Sequence, residues 1–244
     1  MTTQHNPGPV VLRRFTDADV RPFFAYRNDP AVARYQGWAS CGLAEATEFI
    51  RRHQSQEAGV PGQWLQIALA RKDTNALLGD CAFQVHARDP RQATVGVTLA
   101  RENHRQGFAT EALSCLLAAL FERLKLHRVV ADTDVENTAS WTLLERLGLR
   151  REGHLRQSLW FKGRWADEYL YAILAEDWLK RPGRDARPKD GEEFLQSFLN
   201  TSPVVGEGPL PCSEMAGLMC ENAGGQADFK KMDLSKSRHA CHDK

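Results

Sequence analysis

Leu99-Ala-Arg-Glu-Asn-His-Arg-Gln-Gly-Phe-Ala-Thr-Glu-Ala-Leu113 decides how the rest of the chain reads. A strand ends at Leu99, a short polar loop follows, and a long helix opens at Gly107. The helix signal runs on to Leu126, with Ala109, Ala112, Leu113, Leu116, Leu117, Leu120 and Leu124 on one stripe. A helix start leaves N–H groups unpaired and carries partial positive charge. A glycine there lets an anion come close to the main chain. Arg101, His104 and Arg105 add charge beside the turn. Two readings stand: an anion-binding turn, or an ordinary strand–loop–helix connection.

Downstream, Arg128 to Val135 reads as a buried strand and Asn137 to Gly148 as an amphipathic helix, with Gly148 at its C-terminal cap. Asn137 and Ser140 stand at i and i+3 and share a face. Asn137 is a helix cap or a ligand contact. Ser140 lies past the capping turn, so its hydroxyl bonds back to the helix or faces something polar. Leu149 to Phe161 and Trp165 to Leu174 read as a hairpin around Lys162-Gly163-Arg164.

Upstream, Pro9 to Phe15 reads as a strand, and Thr16 and Asp17 cap a helix carrying Phe23, Phe24 and Tyr26. A second helix covers Leu43 to Glu57. Trp64 to Arg71, Ala76 to Val85 and Ala93 to Ala100 read as strands, with turns at Lys72–Asn75 and Arg88–Arg91. Antiparallel strands followed by a strand–helix–strand unit make a mixed α/β (α+β) layer fold.

Three segments now resemble one family. They are H-R-Q-G-F-A-T-E-A (His104–Ala112), V-E-N-T-A-S (Val135–Ser140) and E-R-L-G-L (Glu145–Leu149). Together they resemble the signature motifs of the GNAT acyl-CoA N-acyltransferases. The RimJ/RimL-type ribosomal-protein N-terminal acetyltransferases are the nearer likeness, with L-R-R-F-T-D-A-D (Leu12–Asp19) and G-R-W-A-D-E-Y-L-Y (Gly163–Tyr171) fitting that subgroup. The match covers residues 10–180. It implies the GNAT fold, a mixed and mostly antiparallel sheet flanked by helices, and acetyl-CoA as donor.

By that resemblance the pyrophosphate meets the loop His104, Arg105, Gln106, Gly107, Phe108, Ala109 and Thr110. Thr94 to Leu99 splays from Arg128 to Asp134, and the pantetheine arm lies between them against Thr98 and Leu99. The N–H near Leu99 is the oxyanion donor, and Asn137 and Ser140 hold the thioester end. The family often opens its loop with Gln or Arg, where this chain has His104. The family's usual tyrosine acid maps to Leu144, so the thiol-side donor falls to Ser140, a serine as in RimL-like enzymes. The acid that many relatives carry at Thr94 is absent. Glu111, Asp134, Glu136, Asp167, His86 and His154 are the candidate bases, and a water chain would suffice for a peptide N-terminus with a pKa near about 8. The acceptor pocket is expected between Tyr35-Gln36-Gly37-Trp38 and the facing Trp160, Phe161 and Trp165, with Tyr35, Trp38 and Trp160 as the leading residues; each aromatic is also readable as core packing.

The chain has 244 residues, with Lys+Arg 32 against Asp+Glu 31. That balance argues against a nucleic-acid-binding surface. No apolar run is long enough to span a membrane, and Met1 to Phe15 lacks the pattern of a secretory signal. Six scattered cysteines point to a reducing, cytoplasmic setting. Gly and Pro make up 17 of the first 180 residues and 12 of the last 64, and all Trp and Tyr precede Arg181. Residues 181–244 therefore read as a disordered extension with a short helix over 192–199. Cys212, Cys220, His239, Cys241 and His242 match no standard zinc spacing, so no metal is expected.

The sequence thus predicts an acetyl-CoA-dependent N-acetyltransferase, monomeric or homodimeric. Its acceptor would be a protein N-terminus or a small-molecule amine. The alternatives are an antibiotic- or polyamine-modifying acetyltransferase, and a catalytically silent acyl-CoA-binding module.

Overall fold

Seven strands form one sheet in a computed structural model that describes residues 10–38 and 40–181. The strands are β1 (Val10–Arg13), β2 (Trp64–Arg71), β3 (Leu77–Val85), β4 (Gln92–Leu99), β5 (Arg128–Asp134), β6 (Arg150–Phe161) and β7 (Arg164–Leu174). Their order across the sheet is β1-β2-β3-β4-β5-β7-β6. Every neighbouring pair is antiparallel except β4–β5. The helices are α1 (Val20–Arg27), α2 (Pro30–Ala33), α3 (Leu43–Ser55), α4 (Phe108–Glu122), α5 (Thr138–Arg146) and α6 (Ala175–Leu179). This is the mixed, mostly antiparallel sheet that the sequence predicts. Among the described residues no helix is long and apolar enough to cross a membrane. The expected 192–199 helix, the disordered extension and the Cys/His positions beyond 181 lie outside the described residues.

Two apolar clusters hold the layers together. On one face Leu113, Leu116 and Leu120 of α4 pack on Leu12, Ile67, Phe83 and Val129, joined by Leu144, Tyr171 and Trp178. Each fully buried Leu, Ile or Phe contributes about 1.5–3 kcal/mol from lost apolar exposure. On the other face Phe23, Tyr26, Ala46 and Ile50 of α1 and α3 cover Ala68. Arg27 is buried within that second layer, paired with Asp80 at 3.4 Å and lying 4.6 Å from the Phe23 ring centroid.

Boundaries differ from the sequence reading where local chemistry intervenes. The stripe to Leu126 predicts a longer α4, but the helix ends at Glu122. Lys125 turns left-handed at φ 54°. That turn sends the Leu126 N–H back to the Leu120 carbonyl at 3.1 Å, a Schellman-type closure, and Leu124 and Leu126 stay buried beyond the helix. Thr16 opens a capping box with Asp19, so a 3-10 turn precedes α1. In the last hairpin Lys162 and Gly163 both have positive φ, 48° and 83°. That makes a two-residue turn of the I′ kind, and Arg164 begins β7 rather than belonging to the turn. The short helices α2 and α6 carry too few residues for a periodic signal.

Candidate active site

β4 and β5 run parallel but pair at only three positions: Gln92 with Arg128, Ala93 with Val129, Thr94 with Val130. Beyond Thr94 each strand keeps its outer partner, β4 with β3 as far as Leu99 and β5 with β7 as far as Asp134. The sheet therefore opens into a V where the sequence places the donor arm. At the open end β3 presses close: a Cβ on Gly79 would stand 2.1 Å from the Thr98 carbonyl oxygen, so only glycine fits.

The loop after β4 turns on Arg105 at φ 60° and Gly107 at φ 89°. The His104 ring Nε2 pairs with the Leu99 carbonyl at 3.0 Å, which ties the loop to the strand end. The Gln106 side chain donates to the Glu102 carbonyl at 2.7 Å. The first bond of α4 is Glu111 N–H to the Gly107 carbonyl. The N–H groups of Gln106, Gly107, Phe108, Ala109 and Thr110 find no protein acceptor among the described residues. Open amides at the start of a 15-residue helix suit the pyrophosphate of acetyl-CoA.

Glu111 points elsewhere. Its carboxylate accepts the Val10 N–H at 3.0 Å, on the edge strand β1 and three strands from β4. The structure thus engages this candidate base as a tether between α4 and β1. Partial burial raises its carboxyl above the ordinary range.

At the end of β5, Asn137 is the N-cap of α5, its Oδ1 accepting the Ser140 N–H at 3.3 Å. The Ser140 side chain is half-buried, and its hydroxyl makes no hydrogen bond within the described residues. It does not bond back to the helix. Leu144, where the family's tyrosine would stand, is buried in the core. Two base candidates are tied down beside this end: Asp134 to Arg164 at 3.0 Å, and Asp167 to His154 at 2.8 Å. Glu136 meets both Arg34 at 3.4 Å and Arg164 at 3.3 Å. His86 Nε2 faces Thr94 Oγ1 at 2.9 Å, and burial holds its pKa below the usual histidine value.

A cavity of about 460 Å³ lies between α2 and the β6–β7 hairpin. Pro30, Ala33, Arg34, Glu136, Phe161, Lys162 and Arg164 line it. Of the aromatic residues expected here, Tyr35 is near: its hydroxyl donates to the Glu136 carbonyl at 3.3 Å. Trp38 is not a wall of this cavity. Its Nε1–H donates to the Arg27 carbonyl and its ring lies 3.7 Å from the Arg27 guanidinium carbon. Trp160 is also displaced. It pairs across the hairpin with Trp165, so strand alternation turns both away from Phe161 and Arg164, which face the cavity. Of the three hairpin aromatics expected at the pocket, Phe161 lines the cavity and Trp160 and Trp165 do not.

Sequence reasoning passed over Asp132 and Glu168. Asp132 stands two residues past the last β4-paired residue of β5, and Glu168 lies directly across β7 from Asp134. Burial comes first in raising both carboxyls, and for Glu168 the charges of Asp132 and Asp134 add to it. Ser158 Oγ donates to Glu168 at 2.7 Å. The signal was present in A-D-T-D (Ala131–Asp134): two acids on one side of a strand whose other side is core.

Comparison with known proteins agrees with this geometry. The family model described as acetyltransferase (GNAT) domain matches residues 10–150. The chain is 31% identical over 169 residues to the uncharacterized N-acetyltransferase YoaA of Bacillus subtilis, a match spanning 68% of this chain and 93% of that protein. It is 28% identical over 124 residues to the ribosomal protein uS5-alanine N-acetyltransferase of Escherichia coli, spanning 50% of this chain and 63% of the other. The solved spermidine N-acetyltransferase from Vibrio cholerae, in complex with CoA and spermine, superposes with a TM-score of 0.60 at 22% identity. That match covers 70% of this chain and 98% of the other, and it is a likeness of fold. With the split strands, the open-amide loop and these matches together, the chain belongs to the GNAT family and is an N-acetyltransferase.

Proposed function

We propose that residues 10–180 form a cytoplasmic enzyme that moves the acetyl group of acetyl-CoA to a primary amine by direct attack, with a peptide or protein N-terminus as the acceptor class. One observation carries the transfer reading: the β4–β5 pairing stops at Thr94 and Val130, and the widened gap leads to the unpaired amides of Gln106 to Thr110. The strand gap accepts the pantetheine arm along Thr98 and Leu99. The loop from His104 to Thr110 accepts the pyrophosphate, and Asn137 closes the thioester end.

The reaction needs a neutral amine, a donor for the oxyanion and a proton for the departing thiolate. The Leu99 N–H supplies the oxyanion contact, at a strand end fixed through the His104–Leu99 bond. Ser140, whose hydroxyl is not spent on the helix, orients the thioester sulfur and passes it a proton through water. The free thiols Cys41, Cys81 and Cys115 fit a reducing compartment.

The acceptor wall supports the peptide class over polyamines. Arg34, Lys162 and Arg164 stand there against two carboxylates, Glu136 between Arg34 and Arg164 and Asp134 on Arg164, which leaves an excess of one positive charge. A second or third positive charge on the acceptor would meet them at a cost. Relatives include both a ribosomal-protein alanine acetyltransferase and a spermidine acetyltransferase, so the choice of acceptor class rests on this charge pattern.

The test is chromatographic detection of free CoA released from acetyl-CoA. One pool holds short peptides with Ala, Ser, Met and Thr N-termini, and a second holds polyamines, aminoglycosides and amino acids. Release with the peptide pool is the expected result. Release with the second pool alone replaces the acceptor class, and silence with both overturns the transfer reading.

A further inference from the structure

The sheet face opposite α4 is covered over β2 and β3 by α1 and α3, whose apolar layer takes in Ala68 and Leu77. Over β4, β5 and β7 that face mixes apolar residues, Val130, Leu170 and Ala172, with carboxylates. Val129 and Ala131 bury on the α4 side, so alternation puts Asp132 and Asp134 on this one. Glu168, across from Asp134, shares it, as does Leu170 across from Asp132. Thr94 and Gly96 are the facing positions on β4. There is room beside them, since a Cβ on Gly96 would meet nothing within 4 Å.

Among the described carboxylates on β5, on β7 and in the turn into α5, Asp132 alone has no side-chain partner. Asp134 is bound to Arg164, Glu136 to Arg34 and Arg164, Asp167 to His154 and the Gln157 N–H, and Glu111 to the Val10 N–H. Glu168 takes the Ser158 hydroxyl. Asp132 has no side-chain partner among the described residues and stands just past the last β4–β5 pair; its side chain reaches solvent through the open gap, while the protein around the gap still strips water from it.

We propose that Asp132 is the general base of the acetyl transfer, receiving the proton of the acceptor ammonium over Gly96, with Glu168 as its positioning neighbour. The proposal rests on the transfer reading above. Asp132 Oδ takes one proton from the ammonium, and the freed nitrogen lone pair forms the C–N bond at the thioester carbonyl. The C–S bond then breaks, and sulfur leaves with the electron pair. The nitrogen's second proton ends on that sulfur through Ser140 or water, the third stays in the amide, and Asp132 returns its own proton to solvent.

The electrostatic setting suits the task. Desolvation raises the Asp132 carboxyl, and a raised carboxyl is better matched to an ammonium than an ordinary one. The charged and titratable groups that face it are Glu168 on β7 and Asp134 on β5, with Arg164 behind Asp134. His86 stands beyond Thr94, and Ser158 of β6 reaches the group through Glu168. The same carboxylates draw in the ammonium.

The experiment compares wild type, Asp132→Asn, Asp132→Glu and Glu168→Gln with the responsive amine over pH 5.5 to 9, after melting and acetyl-CoA binding are matched. Asp132→Asn lowers kcat by about 100-fold or more and moves the acid limb of kcat/KM up to the pKa of the free amine. Asp132→Glu recovers part of the rate. Glu168→Gln moves the acid limb to lower pH, because a neighbouring negative charge is gone. Wild-type kcat and profile in Asp132→Asn overturn the assignment. So does a loss of rate with the acid limb unmoved, which is what a packing defect gives. Wild-type protein that acetylates no amine overturns the transfer reading itself and takes the base with it. That failure is distinct, because it appears before any variant is made.

Discussion

Helices α4 and α5 begin in matching places, each after one arm of the V, yet their first turns are built in opposite ways. At α5 the cap is supplied by the chain: Asn137 accepts the Ser140 N–H through its own side chain. At α4 the N-cap is Gly107, left-handed and without a side chain, and the amides of the first turn stay open. A satisfied helix start adds stability and leaves little for a ligand. An unsatisfied one gives up that stability and keeps its field for an anion. The contrast separates the end of the V that binds from the end that aligns.

The sharpest way to break the contrast is to give α4 a cap. Gly107→Asp places a carboxylate where the pyrophosphate should lie, in a backbone conformation that L-residues resist. Like-charge opposition of several kcal/mol lowers acetyl-CoA affinity by more than about 1000-fold. Isothermal titration checks it, and affinity within tenfold of wild type refutes the loop assignment.

The aligning end is tested by Ser140→Ala. Its turnover falls about tenfold, short of the 100-fold of a full acid, because a hydroxyl orients more than it ionises. Acetyl-CoA affinity stays at the wild-type value. Steady-state rates beside the same titration separate the two effects, and unchanged turnover removes Ser140 from the mechanism.

A smaller effect comes from uncapping α5. Asn137→Ala loses a capping bond and about 1 kcal/mol, read as a fall of about 2–4 °C in melting temperature. No fall at all would mean that the Asn137 side chain serves the ligand and not the helix.

Glu111, in the first turn of α4, gives the smallest effect. Its carboxyl is raised in the fold by partial burial, so the ionised form is the less comfortable one there. A carboxyl raised on folding weakens the fold once pH exceeds the ordinary carboxylate range, and has no such effect below it. Glu111→Gln keeps an acceptor for Val10 and removes the charge. It raises the melting temperature slightly at pH 7 and not at pH 3.5, and acetyl-CoA turnover is unchanged. A large loss of turnover would return Glu111 to the list of bases.

The legible parts of the chain were those where one residue type has one physical use. Gly107 after a strand, Gly148 after an amphipathic helix and the α4 stripe as far as Leu120 each admit few conformations, and each lies where the sequence puts it. The aromatic residues were less readable. Tryptophan serves a pocket or a core equally well, and its side of the sheet is set by hairpin register. Trp160 thus faces away from the cavity while Phe161 lines it. Trp38 was hidden by a long-range partner, since Arg27 becomes a cation needing an aromatic roof only after α1 packs on β3. Asp132 and Glu168 are 36 positions apart, and only the antiparallel register of β5 and β7 brings their charges onto one face.

The three residue pairs between β4 and β5 have a mechanical consequence. They are a narrow isthmus joining a four-stranded block, β1 to β4, to a three-stranded block, β5, β7 and β6. A donor molecule seated along both free edges would act as the missing rungs, a removable rivet through the molecule's weakest seam. Its binding energy would then be lent to cohesion: at 100 times the dissociation constant, about 2.7 kcal/mol. The protection would concentrate in the amides lining the seam, and the outer strands would hardly notice. An enzyme built this way is stiffest when charged with its donor and loosens as the spent carrier departs.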